Sequence, residues 1–143
     1  MDKPLIYRML SEKYSGITFE SKYEENKIEI TASNITAKKH FDDSIYIRII
    51  NYDSGTLHVF MTFDRLDKTL NALSYINTFN ACNAFYKGYI SEKKGGNYFE
   101  LHFAVFGLTN ESAVVNQITF SLDELLSENT LKHLKPITEL TYA

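Results

Sequence analysis

A chain of 143 residues is long enough for one domain with a real core, and 44% hydrophobic against 23% charged residues is a folded, globular balance, not a disordered one. The formal net charge of −3 gives no electrostatic footprint for nucleic acid, and a single cysteine excludes an internal disulfide and any multi-thiolate metal site. Ten Tyr and ten Phe with no Trp, with many β-branched residues, lean toward sheet.

The opening Met1-Asp2-Lys3-Pro4-Leu5 has no apolar run long enough for a signal peptide. Nothing in the chain approaches the roughly 18 apolar residues of a membrane span. The expectation is one domain over residues 1–143, in the cytoplasm, touching neither membrane nor nucleic acid.

Pro4 suits the first turn of a short helix, where its missing N–H is not needed. Leu5, Ile6, Met9 and Leu10 form its apolar side, and Gly16 stops it. Ile17, Phe19 and Tyr23 then alternate with polar residues, with Ser21 also inward. Glu24 to Lys27 is a turn, and Ile28, Ile30 and Ala32 alternate again, which predicts a β-hairpin. Asn34 to Asp43 has no period and reads as a loop. His40 with Asp42 and Asp43 lacks a fourth ligand and is not a specific metal signal.

Ile45 to Tyr52 and Thr56 to Phe63 read as two strands joined by a tight Asp53-Ser54-Gly55 turn. Leu57, Val59, Met61 and Phe63 share one face of the second strand, and His58 and Phe60 the other. Bulk on both faces implies central strands, or an outer face covered by an arm or a second subunit.

A long amphipathic helix is then expected from a cap at Asp64, with Asp67 at the positive end of its dipole. Leu66, Leu70, Leu73 and Ile76 fall at helical spacing, and Asn77, Asn80 and Ala84 project from the same stripe. Two carboxamides on a buried face need partners, because a buried amide left unpaired costs roughly 1–3 kcal/mol. The pair Asn77 and Asn80 is therefore expected to be a structural clasp to a neighbouring strand or loop. A ligand-binding pair of amides and a polar subunit contact are the other two options.

Phe85 to Glu92, the turn Lys93 to Asn97, and Tyr98 to Phe106 read as a hairpin. Phe99, Leu101, Phe103 and Val105 share one face, and Tyr98, Glu100, His102, Ala104 and Phe106 the other. Glu111 to Gln117 is read as a short helix or turn, and Ile118 to Phe120 as a connection. Ser121 with Glu124 has the spacing of a capping box. A last helix would carry Leu122, Leu125, Leu126, Leu131 and Leu134, ended by Pro136, with Ile137 to Ala143 as a tail.

No catalytic motif emerges. The histidines are His40, His58, His102 and His133, and none pairs locally with Cys or Asp in a known motif. Convergence of His58 and His102 across neighbouring strands stays open. Cys82 falls opposite the apolar stripe with neither a base nor an oxyanion hole indicated. Gly95-Gly96 lies in a hairpin, not between strand and helix, so it does not cradle phosphate. No catalytic residue, metal site or cofactor is expected.

The segment Leu73-Ser-Tyr-Ile-Asn77-Thr-Phe-Asn80 resembles the Leu-Asn-x-x-Asn signature that ends the long helix of the YbjN-like proteins and class I type III secretion chaperones. The hairpin Phe85 to Phe106 follows at the family's spacing. The order of elements is similar from Ile17 to Leu134. Ile76 stands where the family has Leu. The resemblance implies a non-enzymatic, often dimeric protein that binds other polypeptides.

The expected fold is α+β, an antiparallel sheet of five or six strands with a long central helix and terminal helices packed mainly on one face. The expected function is a chaperone-like, protein-binding module, a homodimer with a polypeptide partner. Tyr46, Tyr52, Tyr86, Tyr89 and Tyr98 are the candidate interface, since no pattern buries them. Two alternatives compete. One is a small-ligand binder or enzyme with a pocket between the long helix and the sheet near Asn77, Asn80 and His102. The other is a regulatory protein of a mobile element.

Overall fold

The computed structural model describes residues 1–36, 44–67, 69–125 and 127–140. The chain runs α1 (Lys3–Lys13), β1 (Thr18–Tyr23), β2 (Lys27–Thr36), β3 (Ser44–Tyr52), β4 (Leu57–Arg65), α2 (Thr69–Cys82), β5 (Lys87–Lys93), β6 (Gly96–Val105), α3 (Glu111–Leu125) and α4 (Glu128–Thr138). The strands form one six-stranded sheet in the order β1-β2-β3-β4-β6-β5. Every pairing is antiparallel. The first four strands form a meander. Helix α2 then carries the chain past the β6 position to the far edge, and the β5–β6 hairpin turns back against β4. The fold is the expected α+β arrangement.

Period-two alternation divides the sheet into two unlike faces. Ile28, Ile30, Ile47, Ile49, Leu57, Val59, Met61, Phe99 and Leu101 point one way and are buried. They join one core cluster with Ile6 and Leu10 of α1, Ile76 and Phe79 of α2, Val114 and Ile118 of α3, and Leu134 of α4. All four helices thus share the core with a single face. Gly55 closes the β3–β4 turn at φ 94°, where a Cβ would stand 2.7 Å from the Leu108 carbonyl oxygen.

Several local expectations are corrected. Asp64 does not cap a helix: β4 continues through Arg65, Leu66 donates its N–H to Asn97 O at 2.8 Å, and α2 starts at Thr69. The buried stripe of α2 is Ala72, Ile76 and Phe79, continued past the helix end by Asn83. Leu70 and Leu73, expected inside, are 83% and 44% exposed. Both stripes obey the 100° step equally well. Phe79, set edge-on against Phe99 with ring centroids 6.5 Å apart, is the bulky side chain that the sheet accepts.

Residues Ile118 to Phe120 are no connection, and Ser121 is no cap. Helix α3 is continuous, and Ser121 lies buried within it, its Oγ donating to the Ile118 carbonyl at 2.7 Å. The cap is Asn110, whose Oδ1 accepts from Ala113 N at 2.8 Å. Helix α4 is capped by Ser127, and it contains Pro136 instead of ending there. Residues Asn34 to Thr36, expected in the loop, belong to β2. His40, Asp42, Asp43, Leu126 and residues 141–143 lie outside the described residues.

Candidate functional site

The other face of the sheet carries no buried helix contact among the described residues. Its side chains form cross-strand rows, as antiparallel register requires. One row sets Thr31, Arg48, Phe60, His102 and Lys87 side by side on β2, β3, β4, β6 and β5. The next runs Tyr46, Thr62, Glu100 and Tyr89.

The aromatic rings of this face stack on one another. The Phe60 and His102 rings are stacked at 4.6 Å, and the Arg48 guanidinium sits 5.1 Å above the Phe60 ring. His58 Nδ1 and His102 Nε2 share a hydrogen bond at 3.0 Å. The convergence left open by the sequence is therefore real. The two ring planes are 13° apart with centroids at 5.3 Å, so the nitrogens meet edge to edge. Burial, and then the charge of His58, pull His102 below the ordinary histidine value. Tyr52 meets His58 edge-on at 6.2 Å and lies under Lys27.

Beside this stack, Tyr46, Arg48, Phe60, Thr62, Ser91, Lys93 and Glu100 line a cleft of about 350 Å³. Its floor is Glu100, only 6% exposed. The carboxylate accepts from Tyr89 Oη at 2.8 Å, from Thr62 Oγ1 at 3.2 Å and from the Lys93 ammonium. Burial by itself would raise the Glu100 pKa, but the hydrogen bonds from Lys93 and Tyr89 outweigh it and hold the carboxyl below the usual range. The Tyr89 phenol is pushed well up, first by burial and then by the Glu100 carboxylate that it serves.

The expected interface tyrosines divide. Tyr46 is 49% exposed on the cleft rim. Tyr52, Tyr89 and Tyr98 are half-buried on the same open face. Tyr86 is corrected: it is fully buried on the helix side, where its hydroxyl donates to the Ser121 carbonyl. A phenol with its one polar atom satisfied is a core residue, not a contact surface.

The carboxamides also divide. Asn80 binds the Gly88 backbone at both ends, Nδ2 donating to Gly88 O at 3.0 Å and Oδ1 accepting from Gly88 N at 2.7 Å. Asn77, expected beside it, is exposed. Its place is taken by Asn83, whose Oδ1 accepts from Phe85 N and Tyr86 N at 3.1 and 2.9 Å while Nδ2 donates to Thr130 Oγ1 at 3.1 Å. The signal for Asn83 was its position, a carboxamide just beyond a helix end, where Asx turns form. His102 faces away from Asn80, so the pocket expected between α2 and the sheet is not formed by those residues, and the cleft lies on the opposite face.

Cys82 is exposed at the end of α2. Among the described residues no three His, Cys, Asp or Glu side chains converge to hold a metal ion. No helix among them is long and apolar enough to cross a membrane. No known family model matches the chain, and no curated protein matches it.

Proposed function

We propose that this chain is a non-catalytic, chaperone-like binding module of the cytoplasm that holds a segment of another polypeptide on the open face of its sheet. One observation carries this reading: a whole face of a six-stranded sheet, free of helices among the described residues, presents aromatic and charged side chains around a cleft. Tyr and Arg at such a surface supply large contact area with polar handles, the composition of recognition surfaces. The order of elements, similar to YbjN-like proteins and type III secretion chaperones, agrees with it. Glu100 argues against acid–base chemistry, because Lys93, Tyr89 and Thr62 all bond its carboxylate and hold it ionised. The test is a photo-crosslinking residue placed at Tyr46, with Lys132 on the exposed side of α4 as control. Polypeptides trapped at the first position and not at the second support the reading; trapping at neither, or equally at both, refutes it.

A second copy of the chain is a further partner in this reading. Leu70 and Leu73 are exposed on α2, and Asn77 continues their strip at helical spacing. An apolar strip of this kind fits a two-fold contact between like helices.

A further inference from the structure

We infer that the segment received by the open face is acidic and extended, with carboxylates at Arg48 and Lys93 and an apolar side chain against the exposed ring of Tyr46. The inference rests on the polypeptide-binding reading above and specifies its partner.

The first reason is the inventory of polar groups in the cleft. Its buried acceptor, Glu100, already holds three donors, Lys93, Tyr89 and Thr62. What faces a visitor is donor capacity. Arg48 is 45% exposed and its Nε stands 3.7 Å from the Glu29 carboxylate, too long for a hydrogen bond. Its remaining guanidinium N–H groups match a carboxylate fork. Lys93 is 47% exposed and has three N–H bonds, of which Glu100 does not use all. The hydroxyls of Ser91 and Tyr46 also line the wall.

The second reason is charge. On the outward strand positions of this face Lys22, Lys27, Arg48, Lys87 and Lys93 outnumber Glu20, Glu29 and Glu100, in a chain whose formal net charge is −3. Glu24 of the β1–β2 turn pairs with Lys22 and Lys27, which leaves an excess of one cation on this face of an acidic protein, on the side that complements an acidic segment.

The third reason is placement. Arg48 on β3 and Lys93 on β5 both line the cleft, on either side of Thr62 of β4 and Glu100 of β6. Side chains at alternate positions of an extended segment point to one side, so acidic residues at alternate positions face the two cations together.

A single-stranded nucleic acid also offers anions, and it fits less well. The Phe60 ring is already flanked by His102 at 4.6 Å and Arg48 at 5.1 Å, which leaves little free ring face for a base.

The experiment uses fluorescein-labelled Gly-Glu-Ser-Leu-Ser-Glu-Gly, its counterpart with both Glu replaced by Lys, and a uridine decamer. Anisotropy is read on the full chain and on Arg48→Gln and Arg48→Glu variants, with folding checked by thermal melting. The acidic peptide is expected to bind saturably, more weakly as salt rises. Arg48→Gln should weaken it about tenfold and Arg48→Glu further. Amide shifts should concentrate at residues 46–48, 60–62 and 91–93. The inference is overturned if the acidic peptide does not bind, if Arg48→Gln leaves its affinity unchanged, or if the lysine peptide or the uridine decamer binds as tightly. Polypeptides trapped at Tyr46 alongside a failed acidic peptide would sink this inference and leave the broader reading standing, whereas no trapping would sink that reading itself.

Discussion

Asn80 grips Gly88 as a second strand would, with one donated and one accepted hydrogen bond to the same residue's backbone. The carboxamide supplies the pairing that edge strand β5 lacks on that side, and so fixes where α2 hands the chain to the sheet. Gly88 also lets the strand pass close to the core, since a Cβ there would stand 2.9 Å from Phe99 Cε1. Asn80→Ala is therefore expected to cost roughly 1–3 kcal/mol in urea unfolding. Asn83→Ala, which strips two backbone amides and Thr130 of a buried partner, should cost more. Asn77→Ala should stay within about 0.5 kcal/mol. A loss at Asn77 as large as at Asn80 would refute this division of roles.

The hairpins, the strand faces and the one-sided core were legible because alternation in a sheet has only two phases. Leu57 to Phe63 and Phe99 to Val105 could face only one way or the other. Helix α2 was misread because Leu66, Leu70 and Leu73 make as regular a stripe as Ala72, Ile76 and Phe79. Only the sheet decides between them. Val114, Val115, Ile118 and Thr119 disguised α3 as something less regular, since β-branched residues weaken the helical signal that tertiary packing restores. The cleft was invisible in sequence because its rim comes from β3 and β5, joined only by a sheet order in which β6 precedes β5.

Glu100 should govern part of the acid limb of stability. Its folded-state pKa lies below the ordinary carboxylate value, so the unfolded chain binds more protons in the interval between the two. The stabilisation is full above the unfolded value, about 4.3, and is lost as pH falls through the folded one. Glu100→Gln should flatten that limb in melts between pH 3 and pH 6. Tyr89→Phe, which removes one donor, should raise the Glu100 titration followed by carboxyl carbon NMR. A Glu100 that titrates at or above its ordinary value in the parent protein would contradict the geometry of the cleft floor.

His102, bonded to His58, should respond to pH and not to metal. His102 is held below its ordinary value, so near pH 6 the unfolded state binds more protons and stability falls as pH drops below about 6.5. Replacing His102 with Gln should remove that component of the melting curve. Two ~2.0 Å zinc bonds at a tetrahedral angle set their nitrogens about 3.3 Å apart, near the 3.0 Å here, but a zinc site needs a third protein ligand and none converges on the pair among the described residues. Equimolar zinc is expected to leave the melting temperature unchanged. A rise with zinc that disappears in the His58→Ala, His102→Ala double variant would overturn the metal-free reading.

The last prediction concerns self-association. Leu70 at 83% and Leu73 at 44% exposure lie one turn apart on α2, away from the core stripe. Two leucines buried in a symmetric contact withdraw apolar surface from water on both subunits, each worth ~1.5–3 kcal/mol when fully covered. Asn77 follows in the same strip and is exposed, so a two-fold contact here would bring it against its copy. Sedimentation at micromolar concentration should show a species of twice the chain mass. Leu70→Glu, a change at a surface position that leaves the core untouched, should convert it to monomer without lowering the unfolding midpoint of the isolated chain. Such a variant also separates the two surfaces, because its open sheet face is intact. A parent protein that sediments as a monomer throughout that range removes the second copy from the list of partners, and a dimer indifferent to Leu70→Glu places the contact elsewhere than α2.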